Sequence, residues 1–348
     1  MVVFRRSDMT VLETEVEGVT RYAFGDTRIY RVGVESFPNH VTNMYLILDG
    51  EASLIDVGFN AEKARADLER GFQIVNGAFE EKVGFGDITS IIITHGHGDH
   101  FGMLEDDRLK GKKVYVHPLD SGIIKDYSRE YIDWKEHAVQ LVREAGCNLE
   151  PEAIFSVDQL GFQATDYEII EVIDGEHIVN GYEVCHTPGH SPGEICLKVG
   201  PVLFLGDHML SITTPHQTPK SSWQGAGLRT YLSSLKKVAG LEIELGLAAH
   251  EDTIYSVKGR AEEIEAFHYQ RLGEVVELCL KEKNLYQLTS EYYRHHPDLI
   301  RASCIEELAV DEKILALEEI KAHVEYLLEE DRMTVASVQD GIVKYRSR

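Results

Sequence analysis

The sequence predicts an α+β fold, in which a mixed β-sheet architecture carries helices on its outer faces and a small helical unit follows. Two observations lead to this prediction. From residue 28 to about residue 249, short apolar runs bounded by Gly, Pro, Asp and Asn alternate with a few helical patterns, and such runs are typical of strands. From about residue 256 onward the strand-like runs stop and helical stripes dominate. Strands that first meander and then alternate with helices favour sheets covered by helices.

Apolar runs in the first part predict strands, and two stretches of helical periodicity predict helices. The predicted strands are residues 29–34, 43–48, 52–55, 88–94, 113–117, 182–186, 194–199, 202–205 and 245–249. The predicted helices are residues 61–71 and 228–238.

A helical insertion at about residues 119–165 interrupts this alternation. Between residues 119 and 147, apolar side chains recur at spacings of three and four, the period of a helix. Aromatic residues of this stripe, with two residues of a later loop, are candidates to line a pocket for an apolar or acyl-bearing substrate. These candidates are Tyr127, Tyr131, Trp134, His216 and Trp223. The alternative is simple packing, the commoner reason for aromatic residues at helical spacing.

The C-terminal part predicts a group of helices that ends in a hairpin. Helical stripes occupy residues 264–281, 288–295, 304–308 and 311–330, and one face of the last stripe is Ile314, Leu317, Ile320, Val324 and Leu327. Alternation of β-branched residues from 333 to 345, with a turn at Gly341, predicts the hairpin. We therefore predict two domains: residues 1–255, which carry the insertion and the chemistry, and a small winged-helix-like domain of residues 256–348.

Composition and charge narrow the range of partners. The chain has 348 residues, 43% of them apolar, and a formal net charge of −24. This charge repels phosphate backbones and anionic membranes, so we expect neither nucleic acid nor membrane as a partner. The expected partner is a small-molecule substrate, and a homo-oligomer is compatible with the sequence.

Cysteine usage and hydropathy indicate the compartment. Five cysteines without a CxxC pair predict neither a disulfide framework nor a thiolate zinc cluster. The N-terminus lacks the apolar region of a signal peptide, and no run approaches the ~18 apolar residues of a membrane span. We expect a cytoplasmic protein.

The segment from Thr94 to His100 concentrates ionisable side chains at the end of an apolar strand. His95 and His97 are two residues apart, which on an extended strand end places both imidazoles on one side. Glycines beside Asp99 let the backbone turn tightly, so one metal could take the first two histidines and a second metal Asp99 and His100. Imidazole and carboxylate ligands suit Zn, Fe or Mn.

Further candidate ligands follow later strands. His190 lies in a glycine-flanked turn between two predicted strands, Asp207 follows the strand at 202–205, and His250 follows the strand at 245–249. Each metal needs at least one further protein ligand. Strand ends are where a sheet presents such ligands, so we expect these three residues to complete the two sites.

These residues together resemble the metallo-β-lactamase-fold hydrolase superfamily, and more closely its glyoxalase II-like dinuclear branch. His95 to His100 meet the HxHxDH signature, and Leu54-Ile-Asp-Val-Gly58 resembles the early strand end of the family. The resemblance covers residues 54–250 and implies an αββα sandwich of two mixed sheets between helices. It also implies two divalent ions, zinc ahead of iron or manganese. In that family pattern His95, His97 and His190 bind the first ion, Asp99, His100 and His250 bind the second, and Asp207 bridges them.

Positions that differ from the motifs of particular branches of the superfamily indicate which branch the chain resembles. Antibiotic-hydrolysing β-lactamases have a second-metal Cys, whereas Asp207 occupies the comparable position here, which argues against antibiotic cleavage. His97 stands where the flavodiiron branch has Glu. The segment after Asp207 is similar to a branch with a C-terminal winged-helix-like domain, in which Gly often follows the last metal histidine; here Glu251 follows His250.

The resemblance also implies roles for individual residues. The predicted nucleophile is a hydroxide that bridges the two ions. Asp99 would orient this hydroxide as well as bind metal, and Asp207 would hold the ions at a fixed separation. Asp56, at a strand end, is a candidate to fix the tautomer of a ligand histidine, the alternative being an Asp in a strand-ending turn. His117 and His208 end or follow strands, and we expect both to point away from the metals.

The favoured function is hydrolysis of a small ester-like substrate, with a thioester or a lactone as first candidates because the branch is rich in them. A ribonuclease or phosphodiesterase is an alternative, but residues 256–348 contain 13 Lys and Arg against 19 Asp and Glu and so have no basic footprint. A mononuclear-iron sulfur dioxygenase is a second alternative. The last is a non-catalytic scaffold, against which the complete ligand set argues.

Overall fold

The computed structural model describes residues 2–4, 11–149, 167–300 and 302–348. The first of its sheets contains nine strands that lie side by side in chain order. They are β1 (Val2–Phe4), β2 (Val11–Val16), β3 (Val19–Phe24), β4 (Thr27–Phe37), β5 (His40–Asp49), β6 (Glu51–Ile55), β7 (Ile88–Ile92), β8 (Lys113–Val116) and β9 (Glu168–Glu171). Neighbours are antiparallel from β1 to β6 and parallel from β6 to β9.

The second sheet contains five strands and is also mixed. They are β10 (His177–Ile178), β11 (Tyr182–His186), β12 (Ile195–Val199), β13 (Val202–Gly206) and β14 (Leu245–Ala248). Only β13 and β14 run parallel among these neighbours. The two sheets share an apolar core that contains Tyr45 and Ile47 of the first sheet and Phe204 and Leu247 of the second.

Helices cover the outer face of each sheet. On the first sheet lies α1 (Glu62–Ala78), whose Leu68 and Phe72 join one buried cluster with Leu46. The layers are therefore helix, sheet, sheet and helix, since the helix after β13 covers the second sheet in the same way. The predicted α+β class, with two mixed sheets between helices, is confirmed.

Strand β7 shows how an uninterrupted apolar run is used. Ile91 and Ile93 belong to the cluster under α1, whereas Ile92 belongs to the core between the sheets. Successive side chains of a strand point to opposite faces, and a strand between parallel neighbours is covered on both. The histidine-rich segment therefore begins where this buried strand ends.

Three helices follow β7 and β8, and one precedes β14. They are α2 (Gly98–Phe101), α3 (Pro118–Lys125), α4 (Tyr127–Ala145) and α5 (Leu228–Ala239). The two helices α3 and α4 account for the first part of the predicted insertion. The rest of that insertion, from residue 150 onward, lies outside the described residues.

The described residues of the C-terminal part form three α-helices and a three-stranded antiparallel sheet. The elements are α6 (Val257–Leu278), β15 (Lys283–Asn284), α7 (Leu285–His295), α8 (Val310–Glu329), β16 (Met333–Gln339) and β17 (Ile342–Ser347), and the sheet order is β15, β17, β16. The predicted apolar face of α8 is fully buried. It belongs to one cluster with Leu203 and Leu205 of β13 and Leu235 of α5, so the second sheet and the C-terminal part share a core.

None of the helices in the described ranges is both long and apolar enough to cross a membrane.

Candidate metal centre

Three histidines meet at the ends of β7 and β11. His95 Nε2 lies 2.8 Å from His97 Nδ1, which lies 3.0 Å from His190 Nε2. His190 donates its other ring nitrogen, Nδ1, to the carbonyl of His216 at 2.8 Å. A carbonyl only accepts, and burial lowers the pKa of His190, so in the neutral ring Nε2 carries the lone pair. Burial holds the pKa of His95 well below its usual range and lowers the pKa of His97 to about 3, so neutral imidazoles meet at one point.

A second group combines two imidazoles with two carboxylates. His250 Nε2 lies 3.4 Å from Asp99 Oδ2 and 3.3 Å from Asp207 Oδ1. His100 Nε2 lies 3.7 Å from the same two oxygens. The other Asp207 oxygen, Oδ2, lies 3.6 Å from His190 Nε2. Asp207 therefore presents one oxygen to each group.

Atoms at the centre of these groups lack hydrogen-bond partners. His100 Nε2 and Asp207 Oδ1 are buried and make no hydrogen bond within the described part of the chain. Buried polar atoms are otherwise nearly always paired. Although burial lowers the pKa of His250, Asp207 and Asp99 raise it to about 12, which shows how strongly the carboxylates favour a positive charge here. The donor sets fit divalent cations of the Zn, Fe or Mn type at two adjacent points.

Comparison with known families agrees with this geometry. The sequence profile of the metallo-beta-lactamase superfamily matches residues 38–250, a range that contains every residue of the two groups. The chain belongs to the metallo-beta-lactamase superfamily. Membership supports a metal-dependent hydrolase in general terms.

Two curated proteins are similar to part of this chain. The probable metallo-hydrolase YqjP of Bacillus subtilis (strain 168) is 26% identical over 233 residues, 63% of this chain and 70% of that protein. An uncharacterized protein of Aquifex aeolicus (strain VF5) is 30% identical over 161 residues, 45% of this chain and 59% of that protein.

Two crystal structures share the fold of almost the whole chain. The metallo-beta-lactamase family protein TTHA1429 from Thermus thermophilus has a TM-score of 0.71 and 24% identity, covering 92% of this chain and 98% of that one. A beta-lactamase domain protein from Burkholderia ambifaria has a TM-score of 0.72 and 21% identity, covering 97% and 93%. These alignments extend into the C-terminal part, so this superfamily member shares more than the catalytic sandwich with them.

Asp56 lies directly behind the second group. Its Oδ2 accepts hydrogen bonds from His100 Nδ1 and Thr94 Oγ1, both at 2.8 Å, and its Oδ1 accepts from the Thr94 amide at 2.8 Å. His100 therefore presents Nε2 to the two carboxylates of the second group. Asp56 has a φ of 52°, and these three hydrogen bonds help to stabilise that left-handed conformation.

Two buried carboxylates at the site were not identified from the sequence. Asp120 accepts from the Gly96 amide at 2.8 Å, from Ser191 Oγ at 2.9 Å and from the Gly193 amide at 2.8 Å, so it joins the two loops that carry the first group. Glu194 accepts from the Asp207 amide at 2.9 Å and has its other oxygen 3.7 Å from His95 Nδ1. Neither residue lies in a motif, although Glu194 follows the glycine-flanked turn of His190.

His40 was also missed. Its Nε2 lies 2.9 Å from Asp99 Oδ2, and its ring lies 4.4 Å from the ring of His250. The next residue, Val41, accepts a hydrogen bond from His250 Nδ1 at 2.7 Å. The start of β5 thus contacts two predicted ligands of the second metal. In the sequence, the only indication of this contact was a histidine near the start of a strand.

Glu251 explains how the chain accommodates a departure from the family pattern. Its φ is 63°, the region that favours glycine. Its carboxylate accepts hydrogen bonds from the Ile212 amide at 2.6 Å and from Thr213 Oγ1 at 2.6 Å. These bonds tie the loop after Asp207 to the strand end that carries His250.

The predicted pocket residues lie in different parts of the molecule. The ring of Trp223 lies 6.3 Å from that of His97, and the ring of Tyr127 lies 5.4 Å from that of Phe101. Trp134 packs instead against the cluster of the second sheet and C-terminal helices. The side chain of Tyr131 lies outside the described residues.

The remaining candidates lie away from the two groups. His216 reaches the site through its carbonyl, while its ring faces α8. His117 stacks on His186 with ring centroids 3.9 Å apart. His208 is fully buried against Tyr231, with ring centroids 5.4 Å apart.

Proposed function

We propose that this protein is a metal-dependent hydrolase that holds two divalent cations, zinc ahead of iron or manganese. The first would be held by His95, His97 and His190, the second by Asp99, His100 and His250, with Asp207 facing both. The observation that carries this proposal is the convergence of histidine and aspartate donor atoms within 4.8 Å of one another in adjacent groups, with His100 Nε2 and Asp207 Oδ1 buried and without a hydrogen-bond partner among the described residues. When bound, such ions lower the pKa of water from about 15.7 towards ~7 and polarise a carbonyl or phosphoryl oxygen.

The protein's own groups prepare the site for a water molecule and a substrate. Asp56 fixes the tautomer of His100. Burial opposes ionisation of Asp99, yet His100, His250 and His40 hold its pKa well below the usual range. Asp99 is therefore an ionised acceptor that can orient an attacking water, and Asp207 can hold both cations in place.

We propose a small thioester or lactone as substrate, in keeping with the glyoxalase II-like resemblance. Aromatic side chains beside the site support an acyl-bearing molecule. Phe37 is 40% exposed, and its ring lies 4.7 Å from that of Phe59. Trp223 lies on the side of His97. Together they supply apolar surface next to the polar centre.

We also propose a compartment, a type of C-terminal unit and an assembly for the enzyme. The cysteines are free, and three of them are buried, which suits a reducing cytoplasm. The helix and strand order of residues 256–348 suits a winged-helix-like unit, and its acidic composition disfavours nucleic acid. A homo-oligomer is compatible with this arrangement.

Elemental analysis of protein purified without added metal tests the proposal. We expect about two divalent ions per chain and turnover of a thioester or a lactone in a panel that also contains a phosphodiester. Asp207→Ala should lower kcat/KM by at least about 100-fold. Replacing a residue that only hydrogen-bonds to a metal ligand typically lowers activity by about 10- to 100-fold. The control is His137→Ala on the exposed side of α4, which should leave activity unchanged.

Two results would contradict the proposal. One iron per chain with oxygen consumption would favour the sulfur dioxygenase. Absence of turnover with every ester and phosphodiester by metal-loaded protein would exclude the hydrolase.

A further inference from the structure

Helix α8 of the C-terminal part contacts the loop that orients a predicted metal ligand. His190 Nδ1 donates to the His216 carbonyl at 2.8 Å. The ring of His216 lies between two carboxylates of α8: its Nε2 is 3.3 Å from Glu318 Oε2, and its Nδ1 is 3.5 Å from Glu319 Oε2. We call His216, Glu318 and Glu319 the clamp.

The clamp is anchored in two further helices. Glu319 pairs with Arg271 of α6, and Arg271 Nε donates to the hydroxyl of Tyr292 on α7 at 3.0 Å. All three side chains are buried. Glu319 also accepts a hydrogen bond from the Gln217 amide at 2.8 Å. The position of the clamp is thus set by the C-terminal part rather than by the loop itself.

The loop has little regular structure with which to hold its own position. It connects the end of β13 with the start of α5, and no helix or strand lies between them, a stretch that the structure describes throughout. One further bond ties it to the first metal group, from Thr218 Oγ1 to the His190 carbonyl at 3.0 Å. Loops longer than about 12–15 residues without secondary structure are uncommon in compact domains and are usually functional or disordered, so the contacts that neighbouring elements make with this ordered loop matter for its position.

The group that accepts a hydrogen bond from the second ring nitrogen of a metal-binding histidine fixes the orientation of the ring and raises its basicity. The His216 carbonyl is such a group for His190, and the contacts that the His216 ring and the Gln217 amide make with α8 hold this part of the loop. We propose that Glu318 and Glu319 are positioning residues for the first metal site, which makes the C-terminal part a component of the metal centre. This inference rests on the metal site of the proposed function and is independent of the substrate.

Metal affinity of the full-length protein tests the inference. The variants are Glu318→Ala and His216→Ala. The matched control is Glu325→Ala, since Glu325 lies on the same helix and accepts a hydrogen bond from the amide of the loop residue Ser221 at 3.3 Å, but lies outside the clamp. The dissociation constant for Zn²⁺ is measured by competition with a chromophoric chelator, and the ligand field by the visible absorption of Co²⁺-loaded protein.

We expect the dissociation constant of the most tightly bound Zn²⁺ to rise by at least about 10-fold in both clamp variants. A change of this size is typical when a residue that supports a metal ligand through hydrogen bonds is replaced. Their Co²⁺ spectra should change, while Glu325→Ala stays within about twofold of the unmodified protein. Thermal unfolding of the metal-free forms shows whether each variant is folded. If His216→Ala does not fold, Glu318→Ala and Glu319→Asp provide the same comparison.

Affinities and Co²⁺ spectra identical to those of the unmodified protein, in folded clamp variants, would overturn the inference. An equal loss in Glu325→Ala would also overturn it, because the effect would then come from general loosening of α8. If the unmodified protein itself bound no Zn²⁺ or Co²⁺, the proposed function would be wrong.

Discussion

At the scale of single residues, Asp120 depends on glycines that let two loops approach it closely. A Cβ at Gly193 would lie 2.5 Å from the carboxyl carbon of Asp120, and one at Gly96 would lie 2.6 Å from Ile123 Cδ1. Both glycines donate their amides to Asp120. The glycine spacing in these loops therefore reflects close packing around a buried carboxylate as well as tight turning.

Gly193→Ala should destabilise the protein by about 1–3 kcal/mol, since the added methyl group overpacks a buried contact. Gly122 lies in α3 close by, where a Cβ would meet nothing within 4 Å. Gly122→Ala should instead stabilise by about 0.5–1 kcal/mol, the usual gain from Gly to Ala in a helix. Denaturant unfolding with a chelator present measures both. Equal effects of the two substitutions would contradict the role of close packing.

At the scale of elements, helix α3 begins with a histidine that can cap it only when neutral. His117 Nδ1 accepts a hydrogen bond from the Leu119 amide at 3.3 Å. Burial and the neighbouring His186 lower the pKa of His117 to about 4. In the unfolded chain a histidine binds its proton near pH 6.5. Between these values the unfolded state therefore binds more protons, and stability falls as the pH falls.

Replacing His117 by Asn keeps a capping oxygen and removes the titration. From pH 6.5 down to about 4, the unfolding free energy of the unmodified protein should fall more steeply than that of His117→Asn, by up to about 1.4 kcal/mol per pH unit. Denaturant midpoints at three pH values measure this difference. His137→Asn on an exposed part of α4 is the control, and an equal flattening there would contradict the assignment to His117.

At the scale of the whole molecule, predictions from sequence succeeded where a local pattern was strong. The apolar face of α8 and the buried run of β7 are set by periodicity and composition. The seven candidate ligands were proposed because they lie where predicted strands end, and the structure brings them into adjacent groups; their binding of metal stays a prediction. Strand β2 was missed because it exposes polar side chains and fully buries only Val11. Asp120 and Glu319 were missed because their partners lie far away in sequence, and such contacts leave no local signal.

The shared core between the second sheet and the C-terminal part bears on the predicted boundary at residue 255. Trp134 packs in that core, whereas Trp223 packs against the cluster of the first sheet, and the chain has only these two tryptophans. The single-tryptophan variants Trp134→Phe and Trp223→Phe therefore report on different regions. Because one buried cluster joins the C-terminal helices to β13 and α5, we expect both fluorescence signals to change at the same denaturant concentration. Two separated midpoints in metal-free protein would show instead that the C-terminal part unfolds as a unit of its own.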